Sequence, residues 1–114
     1  MPGECQFRGI QITYDNLWKI YDRDKDYEKA LQLLQNIEDR YADDYRLYKR
    51  FAFTYLETEW ENDDGTTWDY SGFSENYEKA WQKYDALKDR NKDDNEMESL
   101  KVRYEELQKM GRIQ

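Results

Sequence analysis

A four-residue segment, Tyr-Glu-Lys-Ala, occurs twice in this chain, at residues 27–30 and again 50 residues later at 77–80. Further identities at the same offset are Gln32 with Gln82, Asp39 and Arg40 with Asp89 and Arg90, and Asp43 and Asp44 with Asp93 and Asp94. Internal repetition indicates stacked copies of one supersecondary unit. Such arrays usually form surfaces that hold other proteins, rather than sites that make or break bonds.

The composition predicts a folded, amphipathic helical domain. Charged residues make up 39% of the 114 residues and the net charge is −8, a balance that by itself would suit a disordered chain. The aromatic content is 17%, however, with eleven Tyr and four Trp. Disordered acidic chains are poor in aromatic residues, because these supply the buried area that offsets chain entropy. Pro2 is the only proline, so nothing interrupts the helices beyond the first residues.

Several functional classes are disfavoured by the sequence. No apolar run approaches the roughly 18 residues of a membrane span, and the N-terminus lacks the basic start and apolar stretch of a signal peptide. Cys5 is the only cysteine, so no intrachain disulfide is expected. Nucleic acids and anionic membranes are recognised through basic patches, which an acidic chain disfavours. We therefore expect a cytoplasmic protein that binds neither nucleic acid nor membrane.

Apolar residues recur at helical spacing from Ile10 onward and predict an all-α domain. We place four helices at about residues 13–23, 26–41, 74–90 and 94–110, and another that starts at 43–44 and carries Tyr48, Phe51, Ala52 and Tyr55. Aspartates suit the junctions because they cap exposed N–H groups. Residues 1–10 show no periodicity and are predicted to be a flexible tail, with residues 11–114 forming one domain.

Residues 57–74 differ from the helical segments, because they are acidic and contain turn formers around Gly65 and Gly72. We predict a loop insertion here. It carries four large aromatic side chains: Trp60, Trp68, Tyr70 and Phe73. Two interpretations stay open. The rings form a recognition surface, since aromatic residues concentrate binding energy, or they fold back onto the helices, since large rings are costly to leave in water.

The apolar spacing resembles the tetratricopeptide repeat, a unit of 34 residues with the pattern W-x2-L-G-x2-Y in its first helix and A-x3-F in its second. The first-helix pattern is matched at Tyr14, Leu17, Trp18 and Tyr21, again 34 residues later at Tyr48, Phe51, Ala52 and Tyr55, and one residue out of register at Met97, Leu100, Lys101 and Tyr104. The second-helix pattern is matched at Ala30 and Leu34 and at Ala80 and Tyr84. These second helices are 50 residues apart, 16 more than one period, and the loop at 57–74 accommodates the excess.

The resemblance implies a right-handed superhelix of antiparallel hairpins, with about five helices, whose first helices line a concave groove. The chain departs from the family where Trp18 and Lys101 replace a small residue, and where Ala42 and Lys92 replace the closing proline. These departures bear on how tightly the first helices pack and on how each repeat ends.

A basic stripe on the third helix is the candidate binding surface. It lies about 200° around the helix from the core stripe and consists of Arg46, Lys49, Arg50 and Phe53. The resemblance assigns these positions, and Ile12, Asp15, Asn16 and Lys19 of the first copy, to the ligand-facing side of the groove. Asn16, Lys19 and the three cations would hold an acidic peptide or a C-terminal carboxylate by charge-assisted hydrogen bonds. Alternatively, the stripe only pairs with neighbouring Asp and Glu side chains.

Catalysis and metal binding find little support. There is no histidine, hence no imidazole base, and an enzyme that uses carboxylates would need one of raised pKa inside a cleft. Two acidic segments, 22–26 and 62–65, match a calcium-binding loop only in part, so we expect no metal and no cofactor. The expected function is a non-catalytic module for a protein or peptide partner. The alternative is a structural module that self-associates or docks through the 57–74 loop or the C-terminal helix.

Overall fold

The computed structural model describes residues 14–87 and 94–114, and within these ranges the chain is all helical, without a strand. The helices are α1 (described over residues 14–23), α2 (Tyr27–Ile37), α3 (Tyr45–Glu61), α4 (Ser71–Asp85) and α5 (Asn95–Lys109). The predicted all-α class with five helices is confirmed. The predicted tail at 1–10 lies outside the described residues. No helix in the described ranges has both the length and the apolar character that crossing a bilayer requires.

Aspartates start three of the helices, as the junction pattern predicts. Asp26, Asp44 and Asp94 are the N-caps of α2, α3 and α5. Each carboxylate accepts a hydrogen bond from a backbone N–H two or three residues later in the chain. These bonds satisfy donors that have no partner inside the helix, and the negative charge favours the positive end of the helix dipole. The helix starts are therefore set locally.

The ends of α2 and α5 have different causes. The predicted end of α2 at about Tyr41 is wrong by about one turn, because the chain leaves the helix after Ile37 through tighter turns, in which Arg40 N–H bonds to the Ile37 carbonyl at 3.0 Å. Gly111 follows α5 with φ of 79°, a left-handed conformation in which glycine carries no steric penalty. The Arg112 N–H then bonds back to the Leu107 carbonyl at 2.9 Å, which completes the cap.

The predicted loop at 57–74 is wrong at both ends. α3 continues to Glu61 and α4 already begins at Ser71, rather than at the predicted Ser74. The connection is therefore 62–70, and the extra residues mostly lengthen the two helices that flank it. Turn-forming residue types in this segment are consistent with helix because tertiary contacts compensate for their low helix propensity.

Glu59 provides those contacts at the start of α4. Its carboxylate accepts hydrogen bonds from Gly72 N–H at 3.0 Å and from Phe73 N–H at 2.9 Å. The residue before α4, Tyr70, makes no side-chain cap of its own. Gly72 packs so closely that a Cβ there would lie 2.6 Å from Tyr55 Cδ1. The first turn of α4 is thus held by α3 rather than by a local cap.

α3 is the central helix of the fold. It contacts α2, α4 and α5, and α4 also contacts α5. α1 joins α3 through a buried hydrogen bond of 2.8 Å from Trp18 Nε1 to Thr54 Oγ1. Tyr77 of α4 stacks on Tyr104 of α5 with ring centroids 4.2 Å apart. The fully buried core side chains from these helices are Phe73, Leu34, Leu47, Met97, Leu100 and Leu107.

Candidate functional site

An ion-pair network links α1, α3 and α5. Arg50 donates from Nε to Asp15 Oδ1 at 2.7 Å and from Nη1 to Glu96 Oε2 at 2.8 Å. The neighbouring Lys49 donates from Nζ to Glu96 Oε1 and to Asp94 Oδ2, both at 2.8 Å. We call these five residues the interhelix network. Two adjacent cations of α3 therefore hold carboxylates that come from both neighbouring helices.

The two cations of the interhelix network are buried. The side chains of Lys49 and Arg50 are 7% and 5% exposed. Burial alone would lower the pKa of Arg50, but its bonds to Asp15 and Glu96 outweigh this and raise the pKa above the usual range. Burial would likewise raise the pKa of both carboxyl groups, and the Arg50 guanidinium outweighs it and lowers each. The Arg50 pairs are therefore ionised at neutral pH.

These contacts limit the access of a ligand to Lys49 and Arg50. From the sequence both were expected at the ligand-facing side of the groove, with pairing to nearby acids as the alternative. In the structure both are paired, and the two cations are buried while their partners Asp15 and Glu96 stay 32% and 45% exposed. Breaking one partner from a buried pair is costly, because it leaves a charge without compensation. A ligand would have to displace carboxylates of this chain to reach either cation.

An open cavity of about 360 Å³ adjoins the interhelix network, and we call it the groove. It is lined by Tyr14, Asp15, Lys19, Asp44, Arg46, Lys49, Arg50 and Glu96. Lys19 and Arg46 differ from the two buried cations, because their side chains are 57% and 53% exposed. Each pairs with one carboxylate, Lys19 with Asp15 at 3.4 Å and Arg46 with Asp44 at 2.8 Å. These two cations are the ones that solvent reaches.

A larger cavity, of about 950 Å³, lies beside the groove at the N-terminal ends of α3 and α5. The two cavities share four lining residues: Asp44, Arg46, Lys49 and Glu96. Arg46 therefore borders both spaces. Its bidentate contact with Asp44 holds the guanidinium at the start of α3, where Asp44 also caps the helix.

Four of the six groove residues predicted from the sequence line this cavity: Lys19, Arg46, Lys49 and Arg50. Asn16 is exposed but is not among the lining residues, and the half-buried ring of Phe53 lies 6.2 Å from Trp18. Ile12 lies outside the described residues. Sequence reasoning missed Glu96, the residue that pairs with both buried cations. No local pattern marks it, because its partners lie 46 and 47 positions away.

The four aromatic residues of the predicted loop separate into two pairs. Tyr70 and Phe73 are in the core, with 3% and 0% exposure. Trp60 and Trp68 are 46% and 40% exposed. Trp60 belongs to α3 and Phe73 to α4, while the other two lie in the connection. Tyr70 and Phe73 therefore fold back onto the helices, whereas Trp60 and Trp68 remain at the surface.

The acidic segments at 22–26 and 62–65 make local hydrogen bonds in the structure. Among the described residues, no three His, Cys, Asp or Glu side chains are placed so as to hold a metal ion. Asp26 instead caps α2, and Asp64 accepts hydrogen bonds from Thr66 N–H and Thr67 N–H in the 62–70 connection.

One carboxyl has a strongly raised pKa. Burial, then the hydrogen bond and charge of Asp22, raise the pKa of Glu57 to about 7.

Glu57 does not belong to the groove. The groups that act on its pKa are Asp22 at the end of α1 and Tyr27 of α2. It is not among the residues that line either cavity beside the interhelix network. The raised pKa therefore belongs to a junction of three helices.

Comparison of the chain with protein-family models, with curated proteins and with solved structures finds no match. The arrangement of side chains is thus the basis for any statement about function.

Proposed function

We propose that this chain is a non-catalytic interaction module, built as a tetratricopeptide-like array of helical hairpins, that binds an acidic or extended peptide in the groove. The observation that carries the proposal is the exposure of Lys19 and Arg46 beside the cavity. Their ion pairs with this chain's carboxylates are exposed, and such pairs contribute only about 0–1 kcal/mol. A peptide carboxylate can therefore replace Asp15 or Asp44 at small cost.

The helix contacts support the hairpin array. In arrays of this kind each unit contacts only its neighbours. α3 lies against α2, α4 and α5, in keeping with a first helix between the helices that precede and follow it. Asp15, Arg50 and Glu96 bring α1, α3 and α5 side by side. These are the three helices that the resemblance assigns to the groove.

The interhelix network has a supporting role in this proposal. Lys49 and Arg50 fix the spacing between the three helices, so Lys19 and Arg46 stand on a rigid base. Rigid placement lowers the entropy lost on binding, which is a main cost of association. The contacting cations are thus Lys19 and Arg46, while the buried pair shapes the groove.

Titration with a glutamate-rich peptide, followed by ¹H–¹⁵N chemical shifts, tests the proposal. We expect shifts at Lys19, Arg46 and Tyr14, and weaker binding by the K19Q/R46Q variant. The matched control is R23Q/K29Q, which removes the same charge from side chains that are 72% and 63% exposed and lie away from the groove. If both variants weakened binding equally, the interaction would depend on net charge alone, and the groove would not be the binding site. A mass that rises with concentration in light scattering would favour the self-associating alternative.

A further inference from the structure

Arg103 of α5 is a cation without an acidic partner. Among the residues that the structure describes, it forms no ion pair, and its Nε atom is buried without a hydrogen-bond partner. Its guanidinium instead lies over the ring of Trp60, with Cζ 5.0 Å from the ring centroid. This chain has 26 acidic residues and a net charge of −8. Acidic side chains are therefore plentiful in this chain, yet none of those described pairs with the half-buried guanidinium of Arg103.

Arg112 repeats the arrangement next to the 62–70 connection. Its Cζ atom lies 3.9 Å from the ring centroid of Trp68. Unlike Arg103, it is paired, donating from Nε to Asp63 Oδ2 at 2.8 Å. Asp63 also accepts a hydrogen bond from the Tyr70 hydroxyl at 2.8 Å. Arg112 thus fixes Trp68 and the connection against the end of α5.

The two arginine–tryptophan pairs are joined through Asp63. Trp60 stands at the end of α3, and its carbonyl accepts a hydrogen bond from the Asp63 N–H. The Asp63 carboxylate accepts from Arg112, whose guanidinium lies over Trp68. Trp60 and Trp68 nevertheless remain 46% and 40% exposed. We call Trp60, Trp68, Arg103 and Arg112 the Arg–Trp surface.

We propose that the Arg–Trp surface is a second docking site, separate from the groove, for an acidic peptide segment that carries an apolar side chain next to a carboxylate. The carboxylate would bind the unpaired guanidinium of Arg103, and the apolar side chain would cover Trp60 and Trp68. Charge complementarity selects this occupant, because Arg103 lacks a carboxylate within the described chain. A second copy is a poorer fit, since two chains of net charge −8 repel each other as whole molecules, whereas a short peptide brings only a few acidic groups to the unpaired cation.

The chemistry of the surface suits this occupant. A guanidinium over an indole ring keeps its N–H donors, which can pair with the two oxygens of a carboxylate. Tryptophan and arginine are also the residue types that most often dominate binding energy at interfaces. Hydrogen bonds to charged groups are strong enough that losing this contact should weaken binding at least about tenfold.

The probe is a fluorescein-labelled peptide of alternating phenylalanine and glutamate, compared with the same peptide carrying glutamine. We expect the glutamate peptide to bind the full chain in anisotropy titrations. We also expect it to shift the indole N–H signals of Trp60 and Trp68, assigned by W60F and W68F, but not that of buried Trp18. R103Q should weaken binding at least about tenfold. Thermal melting confirms that the variant folds.

Two control variants make the result decisive. K109Q removes the same charge from an exposed position on the same helix and should bind within about twofold of wild type, because it lies outside the Arg–Trp surface. K19Q/R46Q changes the groove, which is also proposed to bind acidic peptides, but should leave the peptide-induced shifts of the Trp60 and Trp68 indole signals unchanged. The proposal is overturned if K109Q and R103Q weaken binding equally, if the glutamine peptide binds as tightly, or if K19Q/R46Q abolishes the shifts of the Trp60 and Trp68 signals. Absence of binding to the wild type would also overturn it.

Discussion

The Nε atom of Arg50 lies 2.7 Å from Oδ1 of Asp15, a residue 35 positions earlier in the chain. This contact joins α3 to α1, and the same guanidinium joins α3 to α5 through Glu96. A single buried side chain therefore sets the spacing of three helices. Its removal would affect all three helices, whereas the loss of an exposed cation would have only a local effect.

Replacing Arg50 with Met should lower the free energy of unfolding by about 2–3 kcal/mol, because Asp15 and Glu96 lose its hydrogen bonds and are left with Lys19 and Lys49 as cationic partners. Urea denaturation measures the change. Arg46→Met is the control, since this side chain is 53% exposed and pairs with Asp44 nearby, so a loss of about 0–1 kcal/mol is expected. Equal losses in the two variants would show that burial of the Arg50 pairs has no special weight.

Replacing Thr54 with Val should lower the free energy of unfolding by about 1–3 kcal/mol. The buried Trp18 indole N–H would lose its acceptor, the Thr54 hydroxyl oxygen at 2.8 Å. The side chains of Thr and Val have similar shapes, so the change removes only the hydroxyl, which also donates to the Arg50 carbonyl at 2.9 Å. Thr58→Val provides the comparison, since its hydroxyl only donates to the Thr54 carbonyl. Urea midpoints that fall by the same amount in both would contradict a specific role for the Trp18 bond.

Stability should depend on the ionisation of Glu57. Its pKa rises from an ordinary 4.5 to about 7 in the folded state, so the folded chain holds a proton that the unfolded chain has released between these values. The free energy of unfolding should therefore fall as the pH rises through this range, with the full cost present above pH 7. Solvent screening of this half-buried group limits the cost to about 1–2 kcal/mol.

Glu57→Gln removes this ionisation and should flatten the pH dependence, with the variant more stable than wild type at pH 8. Urea denaturation at several pH values measures the effect. Glu28→Gln, an exposed acid on α2, carries the same charge change and should keep the wild-type slope. A Glu57→Gln variant that retains the full slope between pH 5 and 8 would assign the dependence to other groups.

Replacing Gly72 with Ala should destabilise the fold by about 1–3 kcal/mol through overpacking. The added Cβ would lie 2.6 Å from Glu59 Oε2, the acceptor that holds the first turn of α4, and equally close to Tyr55 Cδ1. Thermal melting and circular dichroism measure the loss. Ser71→Ala at the exposed neighbouring position should change stability by no more than about 0.5 kcal/mol. A harmless Gly72→Ala would mean that α4 can shift away from α3.

Local patterns in the sequence were sufficient to predict that five helices form and where three of them start. Asp26, Asp44 and Asp94 mark helix starts that the structure confirms, because a cap acts over two or three residues and needs no distant partner. The periodic spacing of apolar residues likewise identified core positions such as Leu34 and Leu100, which are fully buried. The prediction that 57–74 is a loop placed the start of α4 too late, because Glu59 of the preceding helix caps α4 from a distance.

The sequence by itself determined where helices form and which stripe of α3 is basic. Only the tertiary structure decided that Lys49 and Arg50 of this stripe are buried against Glu96, whereas Arg46 stays exposed. The physical reason is one of range. Helix formation and capping depend on neighbours within about four residues, but the burial and pairing of a charge depend on which distant helix crosses it.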